Sequence, residues 1–237
     1  AEKFSVTGSI FSGIRFPSHR CFVYLRHLIN LINSGDINVA NKDLRDWISE
    51  LEANGQLQHV SGADHHEEIG AIVDIHMHKM TNPAVMFDDI PGFPKGSRVL
   101  ANILTSVPRI NIALGKPVDT TEIELVNYWR DYMKDQPVHE PIEVNGGPLI
   151  ENVFEGDDID IMKIPAPKWH ELDGGYFIGT ACMVVMKDPD SGWINYGAYR
   201  VQAHDAKTAS VMVSKGKHGD ILMRKYFDRG EPCPIAV

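Results

Sequence analysis

The feature that most limits the fold is a run of three strand-like segments in the C-terminal half of the chain. The segments FIGTACMVVMKD, GWINYGAYRVQAH and TASVMVSK are rich in β-branched, aromatic and other apolar residues. Two short polar turn sequences, DPDSG and HDAK, separate them. Because strands joined by short turns pair in antiparallel fashion, the sequence predicts an antiparallel meander.

The second hairpin of this meander carries Asn195 and Arg200 on one arm, and His218 follows the other arm. If the HDAK turn is centred between residues 205 and 206, residues whose numbers sum to about 411 face each other. The predicted pairs are Trp193 with His218, Asn195 with Gly216, and Arg200 with Val211. At about 3.3 Å per residue, Asn195 and Arg200 lie roughly 16 Å apart, which leaves room for a long ligand.

The polar side chains of this hairpin suit different chemical groups. Asn195 and His218 offer an amide oxygen and an imidazole, a reasonable pair of ligands for a divalent cation such as Mn²⁺. Arg200 has a permanent planar charge that suits a carboxylate or a phosphate. Gly197 lacks a side chain, so a ligand is able to approach the strand backbone there. Taken alone, these residues favour a solvated hairpin with scattered polar side chains over a binding site.

The spacing of Asn195 and Arg200 sets a geometric condition on any shared site. Side chains alternate between the two faces of a strand, so an odd separation sends these two residues to opposite faces. A β-bulge or a strong twist is therefore needed if both contact one ligand.

The N-terminal half alternates helix and strand signals. We predict helices in DLRDWISELEANGQL, HHEEIGAIVDIHMHKM and TTEIELVNYWRDYMKDQ, with two short strands in AVMFDDIPGFPKGSRVLAN. The third helix is capped by Thr120 or Thr121 and has an apolar side formed by Ile123, Val126, Tyr128, Trp129 and Met133. The predicted organisation is an extension of unknown role over residues 1–41, an α/β domain over 42–147 and a strand-rich domain over 148–237.

Composition narrows the class of partner. The net charge of −9 and the absence of a basic stripe argue against nucleic acid and favour a small molecule or another protein. Three cysteines without CxxC spacing suggest neither a disulfide framework nor a thiolate zinc site, which fits a reducing compartment and a cytoplasmic location. No apolar run is long enough to cross a membrane. Because the chain stops at GEPCPIAV, within a strand-like segment, we expect it to be a fragment of a longer protein.

The pattern NYGAYR, with His218 eighteen residues after Arg200, resembles the signature of the UbiD-like decarboxylases. The preceding stretch PAPKWHELDGGYFIGTACMVVMKDPDSG is similar to the family's approach to that signature. The first predicted helix, the run from NPAVMFDD to NIALG and the closing RGEPCPIAV also resemble family segments. The resemblance extends from about Lys42 to the end of the chain, whereas residues 1–41 match nothing in the family.

The resemblance implies a fold and a cofactor. It implies an α/β N-terminal domain followed by a central split β-barrel that binds prenylated FMN, with Mn²⁺ and K⁺ near the phosphate. The substrates would be aromatic or α,β-unsaturated carboxylic acids, decarboxylated reversibly. Asn195 and His218 would bind Mn²⁺, the carbonyl of Trp193 would bind K⁺, and Arg200 would also be catalytic through the substrate carboxylate. The residues implied to contact the cofactor are Ala198, Tyr199, Arg200, Met212, Val213, Ser214, Lys217 and His218.

The resemblance also implies that part of the machinery lies outside this sequence. The family's third metal-binding glutamate and the two glutamates of the Glu-Arg-Glu network, including the proton donor, follow the segment similar to GEPCPIAV. Part of the barrel would also be missing. We therefore expect a homo-oligomer or a C-terminal partner chain or segment.

Three alternatives stay open from the sequence. The His-rich stretch GADHHEEIGAIVDIHMHKM suggests a metal hydrolase, although HHEE is not an HExxH motif. The second alternative is a non-catalytic cofactor-binding or assembly subunit whose catalytic glutamates lie on another chain. The third is a flavoprotein reductase that uses ordinary FMN and NAD(P)H. The apolar neighbours of Cys182 favour an inert thiol over a nucleophile.

Overall fold

The computed structural model describes residues 2–5, 43–134 and 151–237, with only the backbone described for residues 2–5. The predicted domain boundary near residue 147 lies outside the described residues. The described strands form two sheets, one of three strands and one of five. No helix in these ranges combines the length and apolar character that a membrane span requires.

The N-terminal region contains four helices and a small sheet within its described residues. Its elements are α1 Leu44–Ala53, β2 Leu57–Ser61, α2 Glu68–Met77, β3 Ala84–Asp88, β4 Val99–Ala101, α3 Val107–Ala113 and α4 Glu122–Tyr132. Strand β3 lies in the middle, parallel to β2 and antiparallel to β4. The three predicted helices and the two predicted strands are confirmed, whereas β2 and α3 were not predicted.

Burial follows the hydrophobic pattern in α1 and β3. The carboxylate of Asp43 accepts hydrogen bonds from the N–H groups of Arg45 and Asp46, which starts α1 with a side-chain cap. Trp47 and Leu51 of α1 are buried one turn apart. The first four residues of β3 are all buried, which is typical of a central strand covered on both faces.

Helix α4 departs from the burial that its amphipathic pattern predicts. Thr121 and Glu124 form a capping box, so the predicted start of the helix is confirmed. No residue of α4 is buried, and Ile123, Val126 and Trp129 are exposed. The predicted apolar side therefore exists but is not covered by the described residues.

The larger sheet is antiparallel throughout. Its strands are β1 Glu2–Ser5, β5 Tyr176–Lys187, β6 Ile194–Asp205, β7 Thr208–Met212 and β8 Ile235–Ala236, in the order β1-β7-β6-β5-β8. The predicted meander is confirmed as β5, β6 and β7. The sheet is curled into half of a barrel. Its outer strands β1 and β8 do not pair, so a closed split barrel is not formed by the described residues.

One face of this sheet is covered by helix α5, His218–Phe227. Leu222 and Met223 of α5 pack with Val184, Val201 and other buried residues of the sheet. Along β6, Asn195, Val201 and Ala203 are buried, whereas Tyr196, Ala198 and Arg200 are exposed. The alternation gives β6 a core face and an open face.

The predicted register of the β6–β7 hairpin is wrong by one residue. Val201 pairs with Val211, and the last pair is Arg200 with Met212, so the numbers sum to 412 and not 411. The shift arises because the turn is centred one residue later than predicted and an irregularity lies between Ala203 and Asp205. Strand β7 ends at Met212, so Asn195 does not face Gly216 but pairs with Met186 of β5.

The segment 166–169 connects the two regions. Its Lys168 carbonyl accepts a hydrogen bond from the N–H of Glu67, and its Pro167 carbonyl accepts one from Phe177 of β5. A Cβ added to Gly70 of α2 would lie 1.8 Å from the Trp169 carbonyl oxygen. The absence of a side chain at Gly70 thus allows α2 to pack directly on this segment.

Candidate functional site

The candidate site is a cleft of about 430 Å³ beside β6, β7 and the first residue of α5. Its volume lies within the range of roughly 300 to 1,000 Å³ that small-molecule sites occupy. The cleft is lined by Thr180, Asn195, Tyr196, Gly197, Ala198, Tyr199, Arg200, Met212, Ser214, Lys217 and His218. The structure therefore places most of the residues named from the sequence around one cavity.

Two of the residues named from the sequence do not line the cleft. Val213 packs against the hydrophobic core under α5. Trp193 lies next to the cleft, where its ring meets the ring of His218 edge to face at a centroid distance of 5.2 Å. The predicted proximity of Trp193 and His218 is thus correct, although a ring contact brings it about and not strand pairing.

Asn195 and Arg200 point from opposite faces of β6, as their odd spacing predicts. Both still border the cleft. The register irregularities between Phe177 and Cys182 belong to β5, opposite the stretch of β6 that carries Arg200. Strand β6 itself has no extra residue between Asn195 and Arg200, so the bulge that contact of both side chains with one ligand would require is not found there.

Arg200 presents an available positive charge. Its guanidinium is exposed and donates to the sulfur of Met212 at 2.8 Å. Within residues 43–134 and 151–237, no carboxylate forms an ion pair with Arg200. A thioether is a weak acceptor, so an incoming carboxylate or phosphate is able to replace it with a stronger, charge-assisted pair.

Asn195 is a buried polar residue with an unmet hydrogen-bonding need. It is 5% exposed, and its amide nitrogen has no hydrogen-bond partner among the described residues. Leaving such a group unsatisfied costs about 1 to 3 kcal/mol. A 180° rotation of the amide would present the oxygen at the same place. A bound hydrogen-bond acceptor, or a metal ion bound by the amide oxygen, would remove this free-energy cost.

The loop before α5 is suited to an anion. Lys217 is the N-cap of the ten-residue helix α5, and its N–H donates to the Ser214 carbonyl. Gly216 has φ +82°, and its N–H donates to the Asp220 carboxylate at 2.8 Å. This bond lowers the pKa of Asp220. The Lys217 ammonium and the positive end of the helix dipole give this end of the cleft a positive potential.

The residues present fit a flavin phosphate well and a metal ion only in part. The Asn195 amide, whose nitrogen has no partner among the described residues, and the His218 imidazole both line the cleft. The described residues contain no group of three His, Cys, Asp or Glu side chains arranged to hold a metal. The carbonyl of Trp193, proposed for K⁺, accepts the Asp188 N–H at 2.7 Å and keeps one lone pair. Further ligands would have to come from a phosphate, water or other residues.

Gly197 does not leave the open space that its lack of a side chain suggests. A Cβ at this position would lie 2.2 Å from Cε2 of Tyr199 and 2.7 Å from its hydroxyl. The Tyr199 ring therefore occupies the room above Gly197. The interpretation of Gly197 as a point of direct ligand approach on that face is wrong.

Thr180 and Tyr196 line the cleft but were not identified from the sequence. Tyr196 lies two residues before Ala198, so strand alternation from Ala198 was sufficient to find it. Thr180 lies within the second register irregularity of β5, between Gly179 and Cys182, and its position depends on a bulge that sequence periodicity does not reveal.

The histidines of the rival segment, residues 63–80, serve as structural hydrogen-bonding groups. His65 contacts the Ala166 carbonyl at 3.0 Å and His66 contacts the Tyr176 hydroxyl at 3.0 Å. His76 contacts the Ile72 carbonyl and the Gln58 side chain. Because no metal-binding group is found among the described residues, the geometry gives no support to a metal hydrolase here.

The two thiols in the described part of the chain, Cys182 and Cys233, are also unsuited to nucleophilic chemistry. Burial raises the pKa of Cys182 and raises that of Cys233 to about 11. Both are therefore thiols and not thiolates at neutral pH. This agrees with the prediction that Cys182 is inert.

Comparison with known proteins identifies the family. Residues 48–129 match the 3-octaprenyl-4-hydroxybenzoate carboxy-lyase N-terminal domain, and residues 142–237 match the Rift-related domain of the same carboxy-lyase. The chain belongs to the UbiD-like decarboxylase family.

Individual relatives agree with this assignment. The pyrrole-2-carboxylic acid decarboxylase of Pseudomonas aeruginosa is 28% identical over 85% of this chain and 42% of its own length. The vanillic acid decarboxylase of Sedimentibacter hydroxybenzoicus in its closed form superposes with a TM-score of 0.75 at 26% identity, over 81% of this chain and 41% of that one.

A third relative carries the cofactor in its solved structure. An evolved dimeric form of the UbiD-class enzyme HmfF from Pelotomaculum thermopropionicum, solved with prenylated FMN, gives a TM-score of 0.67 at 22% identity, over 80% of this chain and 42% of that one. At this identity the match concerns the fold alone. The chain spans about two fifths of the length of these relatives.

Proposed function

We propose that this chain provides the cofactor-binding part of a decarboxylase that acts reversibly on an aromatic or α,β-unsaturated carboxylic acid through prenylated FMN. The observation that carries the proposal is the cleft that unites Arg200 with the Asn195 and His218 pair in a chain of the UbiD-like family. Prenylated FMN, when bound, supplies the electron sink that loss of CO₂ from an sp² carbon requires.

The residues of the cleft divide the binding task. Lys217, Ser214 and the start of α5 would hold the phosphate, with Asn195 and His218 contributing two ligands to Mn²⁺ and the Trp193 carbonyl one ligand to K⁺. Arg200, also catalytic, would orient the carboxylate by a bidentate pair, which keeps the scissile bond in one geometry. Ala198, Tyr199 and Met212 would line the flavin, with Val213 supporting that wall from the core side.

The described wall of the cleft offers no carboxylic acid as donor of the proton that completes the reaction. None of the eleven residues that line it is a carboxylic acid. We infer that the acid comes from a further segment or from a partner chain, which includes a second copy in a homo-oligomer. Arg200 would then act beside that acid and not in its place.

The test is to produce the 237-residue chain together with a flavin prenyltransferase and to examine it by UV-visible spectroscopy and intact mass. We expect retained prenylated FMN, and weaker retention in the Lys217→Ala variant. The matched control is Lys207→Ala, because Lys207 is a half-buried lysine that pairs with Asp157 and does not line the cleft. A folded chain that never retains the modified flavin, even with the C-terminal part of a relative supplied, would contradict the proposal.

A second candidate is a non-catalytic cofactor-binding or assembly subunit. The lack of a carboxylic acid among the residues lining the cleft favours it. In that case the chain would hold flavin without turnover, and activity would appear only on addition of a partner chain. Turnover by the isolated chain would exclude this alternative.

A further inference from the structure

The ring of Tyr199 is held between two glycines from different elements. On one side it covers Gly197 of β6, where an added Cβ would lie 2.2 Å from Cε2. On the other side it meets Gly219 in the first turn of α5, where an added Cβ would lie 2.6 Å from the hydroxyl and 3.2 Å from Cζ. Both glycines therefore make room for the same aromatic ring.

The two glycines are neighbours of the proposed metal ligands. Gly197 lies two residues after Asn195 on the same face of β6, and Gly219 directly follows His218. The Tyr199 ring thus separates the strand backbone that carries Asn195 from the helix start that carries His218. The Tyr199 side chain sets that separation, because both backbones are packed against its ring and hydroxyl.

The surroundings of the ring make it a firm spacer. Tyr199 packs against the hydrophobic cluster that joins the sheet to α5, with Val213 also close to Gly219. Side chains in such cores are closely packed, so a change in volume moves their neighbours. A tyrosine side chain has only two torsions and a rigid planar ring, so it does not adapt its shape when its neighbours move.

We propose that Tyr199 is a positioning residue that fixes the spacing of Asn195 and His218 and thereby the affinity of the cleft for a divalent cation. This inference rests on the proposed function, since it takes that pair as ligands of Mn²⁺. A binding constellation has to be held to within about 0.5 Å by the residues around it. The whole side chain does this by bulk, because its hydroxyl end lies against Gly219 and its ring edge lies against Gly197.

The experiment measures Mn²⁺ affinity of the FMN-loaded 237-residue chain by electron paramagnetic resonance titration. Tyr199→Phe keeps the ring and removes only the hydroxyl oxygen that lies nearest Gly219, so its affinity is expected to fall less than that of Tyr199→Ala. Tyr199→Ala removes the side chain that spaces the two backbones. Gly219→Ala adds a methyl group that would clash with the Tyr199 hydroxyl and so displaces the helix start or the ring. We expect each to weaken Mn²⁺ binding by about 10- to 100-fold, the usual cost of losing support behind a metal ligand.

A matched control separates this effect from a general glycine effect. Gly174→Ala places its new methyl 3.5 Å from the Gln202 side chain, an ordinary contact away from both ligands. Its Mn²⁺ affinity is expected to be unchanged. Thermal unfolding of each variant checks that it is folded, and if Tyr199→Ala does not fold, Gly219→Ala alone decides, because alanine is favoured over glycine within a helix.

The outcomes distinguish this inference from the proposed function. If the original chain binds no Mn²⁺ in the presence of FMN, the proposed metal site itself is wrong. If the original binds Mn²⁺ and the folded Gly219→Ala variant binds it equally well, the positioning role is wrong. An equal loss in Tyr199→Phe and Tyr199→Ala would also overturn it, because the hydroxyl and not the ring would then be responsible.

Discussion

The two polar clusters of this chain differ in how completely their members are satisfied. In the histidine-rich segment of residues 63–80, His65, His66 and His76 each have a hydrogen-bond partner in the protein. In the cleft, as far as the described residues go, the Asn195 amide nitrogen has no partner and Arg200 donates only to a sulfur. The richer sequence pattern thus builds structure, whereas the sparser one leaves groups available for a ligand.

Of the substitutions that compare the cleft with the rest of the chain, Arg200→Ala is expected to have the largest effect, a loss of affinity for a carboxylate. Loss of a bidentate, charge-assisted pair costs about 2 kcal/mol, or roughly 30-fold in affinity for a carboxylate. The measurement is quenching of flavin fluorescence by pyrrole-2-carboxylate in the FMN-loaded chain. Arg200→Lys should recover part of the affinity, since it keeps the charge but not the planar fork.

The control for that experiment is Arg130→Ala. Arg130 lies on α4, where it is exposed and pairs with Asp131. Its removal should leave carboxylate binding unchanged. Equal affinities for Arg200→Ala and Arg130→Ala would show that the cleft does not bind the acid through Arg200.

The next largest expected effect is the loss of Mn²⁺ affinity when a proposed metal ligand of the cleft is replaced. Asn195→Ala and His218→Ala should each weaken Mn²⁺ binding by at least about tenfold, since even support residues behind a ligand have effects of this size. His66→Ala, an exposed histidine of the rival segment, should leave it unchanged. Isothermal titration with Mn²⁺ in the presence of FMN measures both, and a loss confined to His66→Ala would reverse the assignment.

The dependence of stability on acid pH tests the ion pair that attaches helix α5, which carries His218, to the sheet. Lys225 of α5 holds the Asp188 carboxylate, and this ion pair, with the N–H of Asp190, lowers the pKa of Asp188 from 3.8 to about 2. Because the folded pKa is lowered, the stabilisation is present above pH about 4 and is lost as the pH falls toward about 2.

Asp188→Asn should therefore lose stability at pH 5 and show a flatter fall of unfolding temperature between pH 5 and 2. Circular dichroism melts measure this. Asp131→Asn, which removes an exposed carboxylate on α4, is the control and should have a smaller effect. A fall between pH 5 and 2 as steep in Asp188→Asn as in the original chain would contradict the role given to this pair.

The smallest effect concerns His59 in the N-terminal region. Hydrogen bonds to Asp88 and Glu52 raise the pKa of His59 above its ordinary 6.5. The stabilisation is therefore complete below pH 6.5 and is lost as the pH rises through the raised value. His59→Gln should remove a small difference in melting temperature between pH 6 and 9 without changing Mn²⁺ binding. No change in that difference would show that the pair is fully screened by solvent.

The sequence predicts the meander because strand alternation and turn residues are local signals. It does not predict the register, which depends on an irregularity between Ala203 and Asp205. The site residues on β6 and the start of α5 meet in one cleft, although their roles stay predictions. The place of the Tyr199 ring was missed because it follows from the approach of α5 to β6, a contact between distant parts of the chain.

The apolar pattern of α4 shows the opposite failure. Its periodicity correctly indicates a helix, and Thr121 correctly indicates its start. Burial does not follow, since Ile123 and Trp129 are exposed among the described residues. Periodicity specifies which side of a helix is apolar, whereas another element has to be present for that side to be covered.

The most direct test of the central claim is a crystal of this chain grown with FMN and Mn²⁺ and measured at the manganese absorption edge. We expect one anomalous peak between the Asn195 amide and the His218 imidazole, beside the flavin phosphate. A peak in the histidine-rich segment of residues 63–80 instead, or ordered flavin with no peak near Asn195 and His218, would contradict the account.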